Sequence, residues 1–426
     1  MLDLEVMRWS MRFQSCWLAL LLCLGPMACG GGDGRASGGA EAPAPEVRPG
    51  IEVLLVDSLH LVEGKRVGLV TNQTAVDRER RSDIDLLAGS VSLELVALFA
   101  PEHGIRGQAG AGDVIASGVD ERTGLPIHSL YGQTRSPTPE MLEGIDVLLF
   151  DIQDVGSRYY TYVYTMALAM EAAGERGIPF VVLDRPNPIR GDVVQGNVLD
   201  PRFATFVGMY PVPMRHGMTP GELARLFVGE FGIEAEVHVV PADGWTRGAS
   251  FDRTGLPWIA PSPNMPSLES ALAYPGTCLF EGTPLSVGRG TDSAFQWVGA
   301  PWLDGEALAA ALNLYGIPGV RFEAASFTPR NAGDGKFEGQ TVRGVRVVPT
   351  STDFDAPRAA VAMLIEAHRA SGDAWSWNVS HFDRLAGTDA LRLGIEAGED
   401  LATLTEGWEA STREFEARRA PYLIYP

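Results

Sequence analysis

The chain has 426 residues, 45% of them hydrophobic, and carries 34 basic against 54 acidic side chains for a formal charge of −20. That length and apolar content belong to a packed protein of two or three domains rather than to a disordered chain. So acidic a surface repels phosphate backbones, and no nucleic acid is expected as a partner.

At the N-terminus, Arg8 and Arg12 precede the apolar run C-W-L-A-L-L-L-C-L, which is followed by G-P-M-A-C ending at Cys29. A charged start, a short apolar run and small residues before a cleavage point are the layout of an export signal over residues 1–29, and the run is too short to span a bilayer comfortably. A glycine-rich and then proline-rich tether over 30–50 follows, which predicts a lipoprotein acylated at Cys29, with plain secretion after cleavage as the alternative. The mature chain is thus expected at the cell surface, in the periplasm or secreted, touching a membrane only through the lipid. Three of the four cysteines lie within residues 1–29 and only Cys278 falls in the globular part, so neither an internal disulfide nor a cysteine metal cage is expected.

From Arg66 onward, R-V-G-L-V-T (66–71), E-L-V-A-L-F (94–99), D-V-L-L-F-D-I (146–152) and P-F-V-V-L-D (179–184) are continuous apolar runs of strand length, the kind buried on both faces of a parallel sheet. Between them fall helical patterns, the longest from Tyr159 to Arg176, while Thr219, Pro220 and Glu222 spell a capping box that opens another helix. Strands alternating with helices predict an α/β fold, a Rossmann-like N-terminal domain with a parallel sheet over 51–262. After about Ser262 the texture changes to S-P-N-M-P-S, then to the strand R-G-V-R-V-V-P (343–349) and a helix over 356–369, predicting a smaller α+β domain over 263–426.

Polar residues follow each strand: Asn72 and Gln73, Glu102 and His103, Asp151, Gln153 and Asp154, then Arg185 and Asn187. In open parallel sheets ligands bind beyond the carboxyl ends of the strands, so four such clusters converge on one rim. No dinucleotide, nucleoside triphosphate or esterase motif is present, and no cofactor is expected. A metal site from His103, Asp151, Asp154 and His216 is one alternative. The carboxylates Glu102, Asp151 and Asp154 suit acid/base or nucleophilic work on a glycosidic bond, and neutral amides, Asn264 among them, suit sugar hydroxyls. Tyr160 and its neighbours offer aromatic surface for a sugar ring, with helix packing as the competing role. Two further polar words stand out: F-E-G-T-P-L-S-V-G-R-G-T-D, with Glu281, Arg289 and Asp292, and M-R-H-G-M-T-P, with His216.

Together V-T-N-Q-T, F-A-P-E-H-G-I-R-G, D-I-Q-D-V-G-S-R-Y-Y-T-Y, L-D-R-P-N-P, R-H-G-M-T, S-P-N-M-P and F-E-G-T-P-L-S-V-G-R-G-T-D resemble the NamZ-like exo-β-N-acetylmuramidases, once called DUF1343, over about residues 51–426. The resemblance implies a cleft between the two domains and release of N-acetylmuramic acid from the non-reducing end of peptidoglycan fragments, without a nucleotide cofactor. It makes Glu102 the principal catalytic carboxylate, with His103 orienting it and Asp151 or Asp154 as the second group. Muramic acid carries a lactyl carboxylate, so an acidic chain needs a local cation to hold it, for which Arg289, Arg185 and Arg106 are the candidates.

Overall fold

The computed structural model describes residues 46–107 and 115–426. The signal and Cys29 lie outside the described residues, as does most of the expected tether. Its last residues, however, belong to the fold: Val47 is buried, and Arg48 forms a bridge with Asp243 before α1 (Gly50–Asp57) begins.

Seven strands build the main sheet: β1 (Arg66–Thr71), β2 (Glu94–Ala100), β3 (Gly118–Val119), β4 (Pro126–Ser129), β5 (Val147–Asp151), β6 (Phe180–Leu183) and, after the small hairpin β7 (Gln195–Val198) and β8 (Pro213–Arg215), β9 (Val237–Val240). Their order is β3-β4-β2-β1-β5-β6-β9, and every pairing is parallel except β3 with β4. The apolar runs produce this sheet because alternate side chains serve opposite faces. Leu148 and Phe150 pack on one side with α3 (Tyr162–Gly174, after α2 at Asp83–Ala88), whereas Val147 and Leu149 pack on the other with Ile51 and Leu54 of α1. The capping box forms as the sequence predicts: at the start of α4 (Pro220–Phe231) the Thr219 side chain accepts from Glu222 N and the Glu222 side chain from Thr219 N.

The chain runs β1 to β2 on one side and returns to β5 on the other, so the topological switch point lies beside β1. Loops leaving β1, β2 and β5 therefore splay apart at the carboxyl edge and open a crevice there.

The C-terminal lobe has α5 (Leu268–Thr277), then an antiparallel sheet of β10 (Trp297–Ala300), β11 (Val320–Phe327) and β12 (Val342–Pro349), with α6 (Gly305–Asn313) and α7 (Ala356–Ser371) against it. Four more helices follow: α8 (Val379–Ala386), α9 (Ala390–Ala397), α10 (Leu401–Leu404) and α11 (Trp408–Arg419). The tail then crosses back onto the first lobe, where the Tyr425 hydroxyl donates to Asp184 at 2.6 Å and Arg247 N to the Pro426 carbonyl at 3.0 Å. Residues past 419 thus complete the N-terminal lobe, a return no local pattern announces. Among the described residues no helix is long and apolar enough to cross a membrane.

Candidate active site

The turn after β2 begins the site. Gly104 N donates to the Pro101 carbonyl at 3.0 Å, closing a tight turn with Glu102 at its second position. His103, at its third, holds φ 71°, a left-handed conformation that a non-glycine residue keeps only where its surroundings impose it. Gly107 lies so close to Gln73 that a Cβ there would meet its side chain at 2.3 Å. Gln73 in turn donates to the carbonyls of Ala260 (2.9 Å) and Pro261 (3.1 Å), tying this turn to the segment that enters the C-terminal lobe.

Glu102 and His103 line a cavity of about 260 Å³ whose walls come from both lobes. Glu102 is half-buried and accepts from the Thr161 hydroxyl at 3.0 Å. Tyr131, after β4, stands beside it; burial first, and then the Glu102 carboxylate, push its phenol up to about 12, so it remains a donor at working pH. The floor is aromatic: Tyr160 packs edge-on against Tyr162 (5.1 Å) and Tyr274 (5.6 Å), and Tyr274 against Phe295 (4.6 Å). The Tyr160 hydroxyl, near Ser262, is buried without a well-formed hydrogen bond among the described residues, which leaves a donor for a ligand.

The C-terminal lobe, which supplies Tyr274 and Phe295 to this floor, also contributes Glu281, from the turn after α5, and Arg289. Arg289 Nε donates to Glu281 Oε1 at 2.7 Å, and the guanidinium lies 5.2 Å from the Phe295 ring centre. Asn264 accepts from Gly290 N at 3.0 Å and so steadies the Arg289 loop, while Asp292 is exposed and does not line the cavity. Helix α8 adds His381, Arg384 and Leu385, and Arg135 enters from the segment after β4.

The remaining sequence candidates do not reach this cavity. Asp151 is fully buried at the end of β5 and bonded to Arg185, which also donates to the Val76 carbonyl at 3.0 Å. Asp83 lies 4.0 Å from the same guanidinium, and burial, then the charge of Asp151, push its carboxyl well above the usual range. Asp151 and Arg185 are thus committed to each other within the scaffold, and neither lines the cavity. Asp151→Asn is expected to lower folding stability by about 3–5 kcal/mol, because it leaves a buried guanidinium unpaired. Denaturant unfolding checks this; an unchanged midpoint with activity lost would return Asp151 to the chemistry. Arg106 is likewise bound, to Asp120 at 2.8 Å.

The amides turn out to hold loops rather than face the cavity. Asn72 accepts from Thr74 N (2.9 Å) at the end of β1, Gln153 donates to the carbonyls of Asp154 (2.8 Å) and Pro186 (2.9 Å), and Asn187 donates to the Met218 carbonyl (3.0 Å). Strand ends packed this tightly bury main-chain groups that need partners, and short amides supply them.

Asp154 and His216 form a buried pair, Nε2 to Oδ2 3.7 Å apart, outside the cavity lining. His216 Nδ1 accepts from Met218 N, so the ring proton sits on Nε2 toward Asp154; burial, then Arg419 and Arg215, push the imidazole down to about 3. Burial pushes Asp154 up from 3.8 to about 7. The fold thus favours the protonated carboxyl, a contribution fully present below about pH 4 and lost as pH rises through about 7. Asp154→Asn cannot ionise, so its melting temperature should match wild type at low pH and exceed it by about 2 °C or more well above neutrality. A difference independent of pH would contradict this. His103, Asp151, Asp154 and His216 bring no three ligand atoms within reach of one ion among the described residues, so the metal alternative has no geometric support.

Tyr131, Arg135, Thr161, Phe206, His381 and Arg384 line the cavity without having been singled out in the sequence. One signal was available: His381 and Arg384 are three apart on a helix and so share a face.

Two carboxylates lining one tyrosine-floored cavity, at the switch point of a parallel sheet, are the groups that hydrolysis of a glycosidic bond calls for. Comparison with known proteins gives the family. Residues 67–269 match the profile described as exo-beta-N-acetylmuramidase NamZ, N-terminal, and residues 272–425 the corresponding C-terminal profile. The chain belongs to this family. It is 47% identical over 386 residues to the peptidoglycan beta-N-acetylmuramidase NamZ of Bacillus subtilis (strain 168), covering 90% of this chain and 92% of that one. Crystal structures of two DUF1343 family proteins from Bacteroides fragilis NCTC 9343 share the fold. One has a TM-score of 0.83 at 36% identity and the other 0.70 at 30%, each covering 89% of this chain and 99% of its own.

Proposed function

We propose that the protein is an exo-β-N-acetylmuramidase that removes N-acetylmuramic acid from the non-reducing end of peptidoglycan fragments, with Glu102 and Glu281 as its two carboxyl groups. The observation that carries this reading is their presence in one cavity of about 260 Å³ over a floor of tyrosines. That volume is just under the usual range for ligand pockets and holds one sugar rather than a strand, as an enzyme working from a chain end requires.

Glu102, the glutamate of the P-E-H-G word, is assigned as the proton donor, with the Thr161 hydroxyl holding its Oε2 in place. Glu281, bonded to the Arg289 guanidinium, suits the group that acts as an anion on the opposite face of the sugar. The bond between the muramyl C1 and the bridging oxygen breaks, the Glu102 proton goes to that oxygen, and a water oxygen ends on C1 as the new hydroxyl, the second proton of that water passing to the carboxylate pair and so replacing the one Glu102 gave up. His103, locked beside Glu102 by its turn, orients it. The test is a chromogenic β-N-acetylmuraminide together with a muropeptide ending in N-acetylmuramic acid. Wild type is expected to release the terminal sugar from both, and tight binding without release would make the protein a muropeptide binder instead.

The export layout of the first 29 residues supports a lipid-anchored enzyme outside the cytoplasm, acylated at Cys29. Cys29→Ala should move the protein from the membrane fraction to the soluble one, and unchanged fractionation would remove the anchor.

A further inference from the structure

The arginines named from the sequence as lactyl binders are already committed to carboxylates: Arg106 to Asp120, Arg185 to Asp151, Arg289 to Glu281. Two others reach the cavity from opposite lobes with no carboxylate partner among the described residues, Arg135 and Arg384. Arg135 is exposed at the rim, its guanidinium 4.2 Å from the centre of the Phe206 ring, which fixes the planar group without neutralising it. Arg384 contacts His381 Nδ1 through Nη2, and its Nε–H is buried with no hydrogen bond among the described residues. The His381 nitrogen is an acceptor in that contact, so this neighbour offers no negative charge; burial and then Arg384 push the imidazole down.

Among the lining residues, three arginines stand against two glutamates. Arg289 and Glu281 offset each other, which leaves two cations against Glu102 in a chain of formal charge −20. Both guanidiniums act on Tyr131, the phenol beside Glu102, and both line the cavity that holds the proposed proton donor. An acidic protein that concentrates positive charge at one point of its cavity is equipped for an anionic ligand, and a guanidinium fork matches a carboxylate in particular.

Resting on the glycosidase reading above, we infer that Arg135 and Arg384 clamp the lactyl carboxylate of the terminal muramyl residue from the two lobes and set the selectivity for muramyl over glucosaminyl sugars. The lactyl ether sits on C3, two ring carbons from the C1 that reacts, which suits a clamp lining the same cavity as Glu102. Arg384 is a specificity residue in this scheme, and His381 positions it.

The test compares Arg135→Gln, Arg384→Gln and the double variant on a chromogenic β-N-acetylmuraminide and on the same compound with its lactyl group as the neutral amide. Each single change should raise KM for the acid by about 10-fold and the double change by about 100-fold, the worth of one and two charge-assisted hydrogen bonds. kcat should stay within a few-fold, and KM for the amide should not move, so the preference for the acid collapses. A double variant that melts like wild type and keeps its preference for the acid would overturn the clamp, as would an equal loss on both substrates. If wild type hydrolyses neither compound, the glycosidase reading fails by itself. Calorimetric binding of free N-acetylmuramic acid against N-acetylglucosamine, in wild type and double variant, then decides the clamp: selectivity lost in the variant supports it, and selectivity retained or absent from wild type overturns it.

Discussion

Glu102→Gln is expected to lower kcat by about 10²- to 10⁴-fold, the usual worth of a positioned proton donor, with KM close to wild type. Glutamine keeps the shape and can still accept from the Thr161 hydroxyl, which reaches Oε2 at 3.0 Å, so the turn after β2 has no reason to move. What it removes is the transferable proton. A substrate with a better leaving group needs less protonation of the departing oxygen, so the deficit should shrink on an activated aryl muraminide and be largest on a muropeptide. Initial rates on both, alongside melting temperatures, read this out. A deficit under tenfold on the muropeptide would reduce Glu102 to a binding group.

Glu281→Ala is expected to cost activity on the same scale, about 10²- to 10⁴-fold, with a different signature. Glu281 is the only carboxylate besides Glu102 among the described lining residues, and Arg289 holds it through Nε at 2.7 Å. Its removal deletes the second carboxylate of the cavity and leaves space where it stood. Azide, a small anionic nucleophile, should then restore sugar release in Glu281→Ala. Glu102→Gln, in contrast, retains its side-chain bulk and should gain little. The substitution also leaves Arg289 without its partner, so some loss of stability accompanies it, and rescue by azide separates that loss from the chemical role. A Glu281→Ala protein that is folded and near wild-type rate would point to a different second group.

The candidate pair changes because of how strand ends are used. Asp151 and Glu102 both follow apolar strands, and nothing in local pattern tells them apart. Asp151 continues β5 in register with Thr71 of β1, so its side chain enters the interior and meets Arg185. Glu102 comes after a proline, in a turn where main-chain geometry lifts it to the rim. Asp154 is turned inward by the bond from Gly156 N to its own Oδ2 at 2.6 Å. Glu281 was visible in the sequence only as one polar residue in a glycine-rich word, because its role depends on a turn after α5 facing a different lobe.

From the residues alone came the parallel sheet, whose unbroken apolar runs need cover on both faces, the capping box at Thr219, the rim of polar residues and Glu102 within it. Those are decided within short windows, by strand burial, main-chain capping and proline. Which rim residues line the cavity was decided only by the tertiary structure, and so were the approach of α8 with Arg384, the entry of Arg135 from the other lobe, and the return of Tyr425 onto Asp184. A buried carboxylate and a catalytic one look the same in sequence, since what separates them is whether an arginine or a cavity stands opposite, and that partner comes from a distant part of the chain.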